Sequence, residues 1–71
     1  MNVNRFRGKI VEKGMNVEVL SERMGIHKSN VYRKMNNNGD TFTLKEVRKI
    51  IEILDLTAEE TRDIFFDNTV A

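Results

Sequence analysis

The sequence predicts an all-α fold, a compact domain of five short helices. Three observations lead to this prediction: apolar residues recur at helical spacing, glycines stand where helices should end, and two Thr-x-x-Glu motifs mark helix starts. No proline interrupts the 71 residues, and this length suits one small domain. We expect the domain to span residues 1–66 and a loose tail to follow at 67–71.

Residues 16–36 are the organising stretch, because they predict two helices joined at a glycine. Asn16 stands at the N-cap of the first helix, and Gly25 stands where that helix should end at positive φ. Ile26 is expected to plug the turn, and the second helix to run from about Lys28 to Asn36. One face of the first helix carries Val17, Leu20, Ser21 and Met24.

The second of these helices has two unlike faces. Val31 and Met35 are i and i+4 neighbours and are expected to face the core. The opposite face carries Lys28, Ser29, Tyr32, Arg33 and Asn36. Hydrogen-bond donors, cations and a phenol without any acid suit base edges and the phosphates beside them. From the pattern alone, a solvated surface helix of an ordinary bundle is an equally good interpretation.

These two helices resemble the helix-turn-helix of the Cro/XRE family of phage and bacterial regulators. The residues that match the family pattern are Leu20, Ser21, Met24, Gly25, Ile26 and Val31. The resemblance covers roughly residues 4–66 and is closest to small regulators of temperate phages of Gram-positive bacteria. It implies a lambda repressor-like DNA-binding domain whose second helix enters the major groove.

The resemblance also implies roles for single residues. By position, Lys28, Ser29 and Arg33 would reach base edges, with Tyr32 nearby. The residues implied or considered as phosphate contacts are Asn16, Asn36, Asn37 and Arg7. For Asn37 and Asn38, a loop without contacts to DNA is an equally good interpretation, and for Arg7 a solvated surface side chain is the alternative.

Three positions depart from the family pattern. Val17 replaces a common glutamine, which removes one expected phosphate contact. His27 stands at a capping position usually held by Ser or Thr, which weakens that helix start. Lys34 stands where an apolar residue is frequent, and Met35 is expected to take over its packing role.

The charge is distributed unevenly along the chain. Residues 1–39 carry eight Lys and Arg against three acids, a net +5, whereas residues 40–71 carry four against eight, a net −4. A basic half joined to an acidic half favours binding of a polyanion on one side. Chance clustering in so small a protein is the alternative.

The remaining helices are predicted from stripes and caps. A first helix from about Asn4 to Lys13 should bury Val3, Phe6 and Ile10 and end at Gly14. A Thr43–Glu46 capping box, with Phe42 and Val47 as hydrophobic staple, begins a helix that runs to about Asp55. Its predicted buried stripe is Leu44, Val47, Ile50, Ile51 and Leu54.

A second capping box, Thr57–Glu60, begins the last helix, which should end near Phe66. Ile64, Phe65 and Phe66 spread over about 200° of a helix, so one face cannot bury all three. Ile53 lies off its stripe and is either an edge of the core or a contact with another chain. Ile53, Phe65 and Phe66 are therefore the predicted partner or dimer contacts.

Several classes of function lack the residues they need. There is no cysteine, one histidine and no glycine-rich phosphate loop, so we predict no enzyme, no cofactor and no metal site. Glu59, Asp63 and Asp67 share a face, but without a basic partner nearby they indicate solvation. No run approaches the ~20 apolar residues of a membrane span, and no signal peptide is evident, so we expect a cytoplasmic protein.

The sequence thus predicts a transcriptional regulator of the Cro type, which binds double-stranded operator DNA, as a homodimer, and represses by promoter occlusion in a phage lysis/lysogeny switch. The alternative is a protein–protein module of helix-turn-helix shape that binds the phage's main repressor and modulates it. Neither the operator nor the host follows from the sequence.

Overall fold

Five α-helices make up the part of the chain described by the computed structural model, residues 1–37 and 41–66. Predictions for Asn38, for Asp67 and for the tail at 67–71 fall outside these residues. The helices are α1 Val3–Glu12, α2 Val17–Met24, α3 Lys28–Asn36, α4 Leu44–Ile53 and α5 Ala58–Phe65. The described residues form no strand, and the predicted all-α, five-helix fold is confirmed.

One apolar core joins the helices, and each of them contributes to it. The fully buried or nearly buried side chains are Phe6, Ile10, Leu20, Met24, Val31, Met35, Ile50, Leu54, Leu56 and Ile64. α2 packs against both α3 and α4, while α1 packs against α5. α3 is thus held on one side by its neighbours, and its opposite face is open.

Side-chain caps begin the helices. The Asn2 side chain accepts a hydrogen bond from the Arg5 amide at 3.1 Å, so α1 begins at Val3, one residue before the predicted Asn4. Both predicted capping boxes are confirmed. In each box the threonine side chain accepts a hydrogen bond from the amide of the glutamate three residues later, and the glutamate side chain accepts one from the threonine amide.

Three helices end in the same way, at a residue with positive φ. Gly14 (φ 73°) follows α1 and Gly25 (φ 76°) ends α2, as predicted. After α4 the same conformation belongs to Asp55 (φ 50°), and the Leu56 amide donates back to the Ile51 carbonyl at 3.0 Å. α4 therefore ends at Ile53, two residues before the predicted end, at a position where no glycine signals it.

The predicted stripe of α4 is partly wrong. Leu44 is 66% exposed, whereas Ile50 and Leu54 are buried and Val47 and Ile51 are half-buried. Leu44 is the first residue of its helix, and helical side chains lean toward the N-terminus, so its side chain extends past the start of the helix rather than into the core.

The end of α5 agrees with the prediction that three consecutive apolar residues cannot share one face. Ile64 is buried, Phe65 is half-buried with its ring centroid 6.3 Å from that of Phe6, and Phe66 is 60% exposed. Ile53 is half-buried at the edge of the core. Contact of Ile53, Phe65 and Phe66 with another chain stays a prediction.

Candidate nucleic-acid interface

The first helix of the pair is fixed by two polar residues. Asn16 Oδ1 accepts a hydrogen bond from the Val19 amide at 2.8 Å, which confirms the predicted N-cap of α2. Ser21 is buried where α2 meets its neighbours, and its hydroxyl donates to the Glu18 carbonyl at 2.9 Å. A small side chain with a satisfied hydroxyl allows close packing here without an unpaired polar group.

α3 has a side-chain cap in spite of the departure from Ser or Thr. His27 Nδ1 accepts a hydrogen bond from the Ser29 amide at 3.1 Å, and Ser29 Oγ lies 2.8 Å from the same nitrogen. His27 is therefore the N-cap of α3 and holds the Ser29 side chain at the start of the helix.

The two predicted faces of α3 are both present. Val31 and Met35 are buried, and the residues on the open face are exposed: Lys28, Ser29, Tyr32, Arg33 and Asn36. Arg33 Nη2 donates to Asn30 Oδ1 at 3.0 Å, which orients the guanidinium along the helix surface. The four candidate base-reading residues, Lys28, Ser29, Tyr32 and Arg33, thus lie on one accessible face of one helix.

One acid lies beside this face. The Glu18 carboxylate of α2 is 3.8 Å from Lys28 Nζ, and both side chains are more than half exposed. Such an exposed pair contributes little to stability. Lys28 is therefore free to exchange this carboxylate for an acceptor on a ligand.

The candidate phosphate contacts fall into two groups. Asn16 stands at the start of α2, Asn36 is the last residue of α3, and Asn37 caps that helix, and all three are exposed. The cap uses only Asn16 Oδ1, so its amide N–H groups have no partner among the described residues. Arg7 is exposed on α1, which packs on α5, and no described contact places it beside α3.

Folding redistributes the charge that the sequence divides into halves. Four of the eight cations in residues 1–39 form ion pairs with described acids: Arg5 with Asp63, Lys9 with Glu12 and Glu60, Lys28 with Glu18, and Lys34 with Glu46. Three of these cations meet acids of the C-terminal half. The expectation that Asp63 has no basic partner is wrong, because Arg5 Nη1 lies 3.7 Å from its carboxylate.

Two ion pairs shift the pKa of a glutamate. The hydrogen bond from Lys9 lowers the pKa of Glu60 from about 4.5 to about 2, and pairing with Glu12 and Glu60 raises the pKa of Lys9. Partial burial raises the pKa of Glu46, but the hydrogen bonds from Lys34 and Thr43 outweigh it and hold that pKa below its usual value.

Sequence reasoning missed a basic row on α4. Lys45, Arg48 and Lys49 are exposed and form no ion pair with a described residue. Lys45 and Lys49 line a groove of about 360 Å³ that is also lined by Gly25 and Ile26. Their i, i+3, i+4 spacing was the available signal, but the net negative charge of residues 40–71 concealed it.

The described residues contain no cluster of three or more side chains suited to hold a metal ion, and none of their helices is long and apolar enough to cross a membrane.

A capped helix, a glycine turn and a second helix follow one another along the chain, and the second helix has an open face of cations, hydroxyls and amides. This arrangement defines a helix-turn-helix of the DNA-binding class. Residues 5–61 match the Cro/C1-type HTH DNA-binding domain, and the chain belongs to this family. Searches of curated proteins and of solved structures find no significant match.

Proposed function

We propose that the protein binds operator DNA through α3 and represses transcription by occluding a promoter. The observation that carries this proposal is the accessible face of α3, on which Lys28, Ser29, Tyr32 and Arg33 are exposed while Val31 and Met35 are buried. An α-helix of this kind fits the major groove of B-DNA, where base edges present the acceptors that such side chains recognise.

Each residue has a role set by its chemistry. Arg33 donates to guanine O6 and N7 in a bidentate fork, and Lys28 donates to the same kind of acceptor near the start of α3. Ser29 and Tyr32 supply hydroxyls that hydrogen-bond to base edges or to the flanking backbone.

Phosphate contacts frame this helix. Phosphate oxygens on either side of the groove accept hydrogen bonds from three side-chain amides. One is the free amide group of Asn16 at the start of α2, and the others belong to Asn36 and Asn37 at the end of α3. Arg7, Lys45 and Lys49 add positive charge that lowers the free energy of binding without reading sequence.

The biological setting is part of the proposal. We propose a homodimer that holds two half-sites about 34–36 Å apart, with Phe66 at the dimer contact and Ile53 and Phe65 beside it. The resemblance noted in the sequence to small regulators of temperate phages of Gram-positive bacteria is the reason for proposing a role in a lysis/lysogeny switch, in the cytoplasm of the bacterial host.

The test compares two arginines on operator DNA, identified by selection from a random duplex pool, and on unselected DNA. Arg33→Ala should lower operator affinity by about 1–3 kcal/mol and lower affinity for unselected DNA much less, because a bidentate base contact is lost. Arg7→Ala is the matched control and should weaken both DNAs equally. Equal losses for Arg33→Ala on both DNAs would contradict base reading by α3.

Salt titration tests the electrostatic part. Neutralising four to six phosphates should lower the affinity by about two to three decades between 50 and 200 mM salt. A wild-type affinity that is insensitive to salt, or a failure to select any DNA, would reject the proposed function.

A second candidate is the partner module that binds the phage's main repressor. The side chain of Phe66 is 60% exposed and suits a contact with a repressor as well as a homodimer contact, so it supports both candidates. In that case the isolated protein binds DNA weakly, and adding the repressor yields a hetero-complex that no longer binds its operator. Light scattering and gel shift of the protein alone, and then with the repressor, distinguish the two candidates.

A further inference from the structure

In each of the two capping boxes, the glutamate also contacts a lysine from another helix. The glutamate at the third position of each box, Glu46 in α4 and Glu60 in α5, accepts a hydrogen bond from a lysine of an earlier helix. Lys9 reaches Glu60 from α1, and Lys34 reaches Glu46 from α3. The two sites have the same chemistry, but only the second involves the proposed DNA-reading helix.

Lys34 is held more completely than a solvated lysine. Its Nζ lies 2.6 and 2.8 Å from the two carboxylate oxygens of Glu46, and the Glu46 Oε1 also accepts from the Thr43 amide at 2.9 Å. The ammonium stands 5.7 Å from the ring centroid of Phe42, within cation–π range. The Lys34 and Glu46 side chains are only 16% and 18% exposed.

Besides its buried apolar side chains, α3 is connected to the core through the contact of Lys34 with Phe42. The Phe42 ring packs edge-on against Phe6, which is fully buried, with the centroids 6.1 Å apart. Lys34 therefore joins the last turns of α3 both to the start of α4 and, through Phe42, to the centre of the domain. The buried apolar residues of α3 are Val31 and Met35, and the Lys34–Glu46 pair adds a polar attachment near the C-terminal end of the helix.

Lys34 also lies between elements of the proposed interface. Arg33 precedes it on the exposed face, and Asn36 and Asn37 follow two and three residues later. Lys34 and Glu46 are twelve residues apart in the chain, and their contact connects α3 directly to α4. A displacement of Lys34 would move the Arg33 guanidinium and both asparagine amides together.

Resting on the proposed function, we infer that the Lys34–Glu46 pair positions α3, with Arg33, Asn36 and Asn37, for reading DNA. Lys34 acts as a positioning residue through Glu46, and it does not contact the DNA. The property expected to depend on Lys34 is the discrimination of operator from other DNA, because base contacts read the sequence whereas phosphate contacts carry no sequence information directly.

The competing role for a lysine here is a direct phosphate contact, and Glu46→Gln separates the two by the sign of its effect. Glutamine at the third position preserves the capping box, so the start of α4 is retained. If Lys34 contacts phosphate, removing the carboxylate frees a cation and tightens binding. If Lys34 positions α3, the same change weakens operator binding.

The experiment uses the full chain in four single variants and one double variant. Lys34→Met and Glu46→Gln alter the proposed positioning pair, and Lys9→Met and Glu60→Gln alter the matched pair at α5. Operator and unselected-DNA affinities are measured for each, together with the melting temperature and with amide hydrogen exchange of the free proteins.

We expect Lys34→Met and Glu46→Gln each to reduce the ratio of operator to unselected-DNA affinity by about tenfold, equivalent to about 1.4 kcal/mol. The Lys34→Met/Glu46→Gln double variant should lose no more than either single change, because both act through one contact. Free-protein exchange should accelerate at residues 33–37. The α5 variants should change stability but leave that ratio within about twofold of the wild type.

Other results overturn the inference. Tighter operator binding by Glu46→Gln would assign Lys34 to a phosphate, and equal changes in the affinity ratio for both pairs would reduce the contact to general stability. If the wild type binds no DNA selectively, the proposed function fails. Hydrogen exchange then decides separately whether the pair holds α3: unchanged exchange at residues 33–37 in Lys34→Met would reject that as well.

Discussion

Single residues with left-handed backbone conformations decide where three of the helices end. Gly14 and Gly25 adopt positive φ without a Cβ, whereas Asp55 adopts φ 50° with one. An L-residue in this region is strained by roughly 1–2 kcal/mol, less for Asp and Asn than for other side chains. Asp55 also places a negative charge beside the negative end of the α4 dipole.

Substitutions at Gly25 and Asp55 should therefore have opposite effects. Gly25→Val should destabilise the domain by about 2 kcal/mol, because a β-branched residue is poorly accommodated at positive φ. Asp55→Gly should stabilise it by up to about 1 kcal/mol, and Asp55→Asn separates the charge from the strain. In thermal melts, each kcal/mol should move the melting temperature of a domain this size by about 4–8 °C.

Gly8 provides the control for the Gly25 substitution. It lies inside α1, and an added Cβ there would meet nothing within 4 Å, so Gly8→Ala should stabilise the protein by about 0.5–1 kcal/mol. An unchanged melting temperature in Gly25→Val would mean that this turn does not require a glycine.

At the scale of elements, we expect the contact between α1 and α5 to be sensitive to pH. The pKa of Glu60 is lowered to about 2 in the folded state by its hydrogen bond from Lys9 and by its cap to Thr57. A folded-state pKa below the usual value means that the ionised carboxylate stabilises the fold at pH above about 4.5. This contribution is lost as the pH falls from there toward 2.

Glu60→Gln should consequently reduce the acid sensitivity of the protein. The difference in melting temperature between pH 5.5 and pH 2.5 should be smaller than in the wild type, measured by circular dichroism at constant ionic strength. Glu59→Gln is the control, since Glu59 is an exposed neighbour in the same first turn without an ion pair to a described residue. Equal losses in wild type and Glu60→Gln would contradict the assignment of this titration to Glu60.

At the scale of the whole molecule, the two aromatic residues at the end of α5 have separable roles. Phe65 packs against Phe6 in the core, whereas Phe66 is largely exposed. Their adjacency in sequence made them equal candidates for a dimer contact, and their burial makes Phe66 the cleaner probe.

Phe66→Asp should convert the proposed dimer to a monomer with little change in the melting temperature, and operator affinity should decrease with it. Phe65→Asp should instead destabilise the fold by about 3 kcal/mol or more, because it removes core packing and brings a charge against apolar surface. Light scattering over a range of protein concentrations, with a parallel thermal melt, measures both effects. A wild type that is monomeric throughout this range would reject the dimer.

The sequence by itself determined the features that depend on neighbours within one or two turns. The N-caps of α2, α4 and α5, the two capping boxes, the turn at Gly25 and the two faces of α3 all follow from side chains three or four residues apart. These interactions are nearly complete within one helix, so periodicity and residue type are sufficient to predict them. The exposure of the candidate base-reading residues followed for the same reason, although their contacts with DNA remain a prediction.

Only the tertiary structure decided which charges meet, which apolar residues are covered, and how α4 ends. Lys34 and Glu46 are twelve residues apart, and Lys9 and Glu60 are fifty-one apart, so nothing local distinguishes them from solvated surface charges. Leu44 was expected in the buried stripe but is exposed, whereas Leu56, for which no prediction was made, is buried, because burial depends on the helices packed around a side chain and not on its own character. Asp55 adopts a glycine-like conformation because the packing of α4 and of Leu56 outweighs its local preference, and such an outcome requires contacts that a single stretch of sequence does not contain.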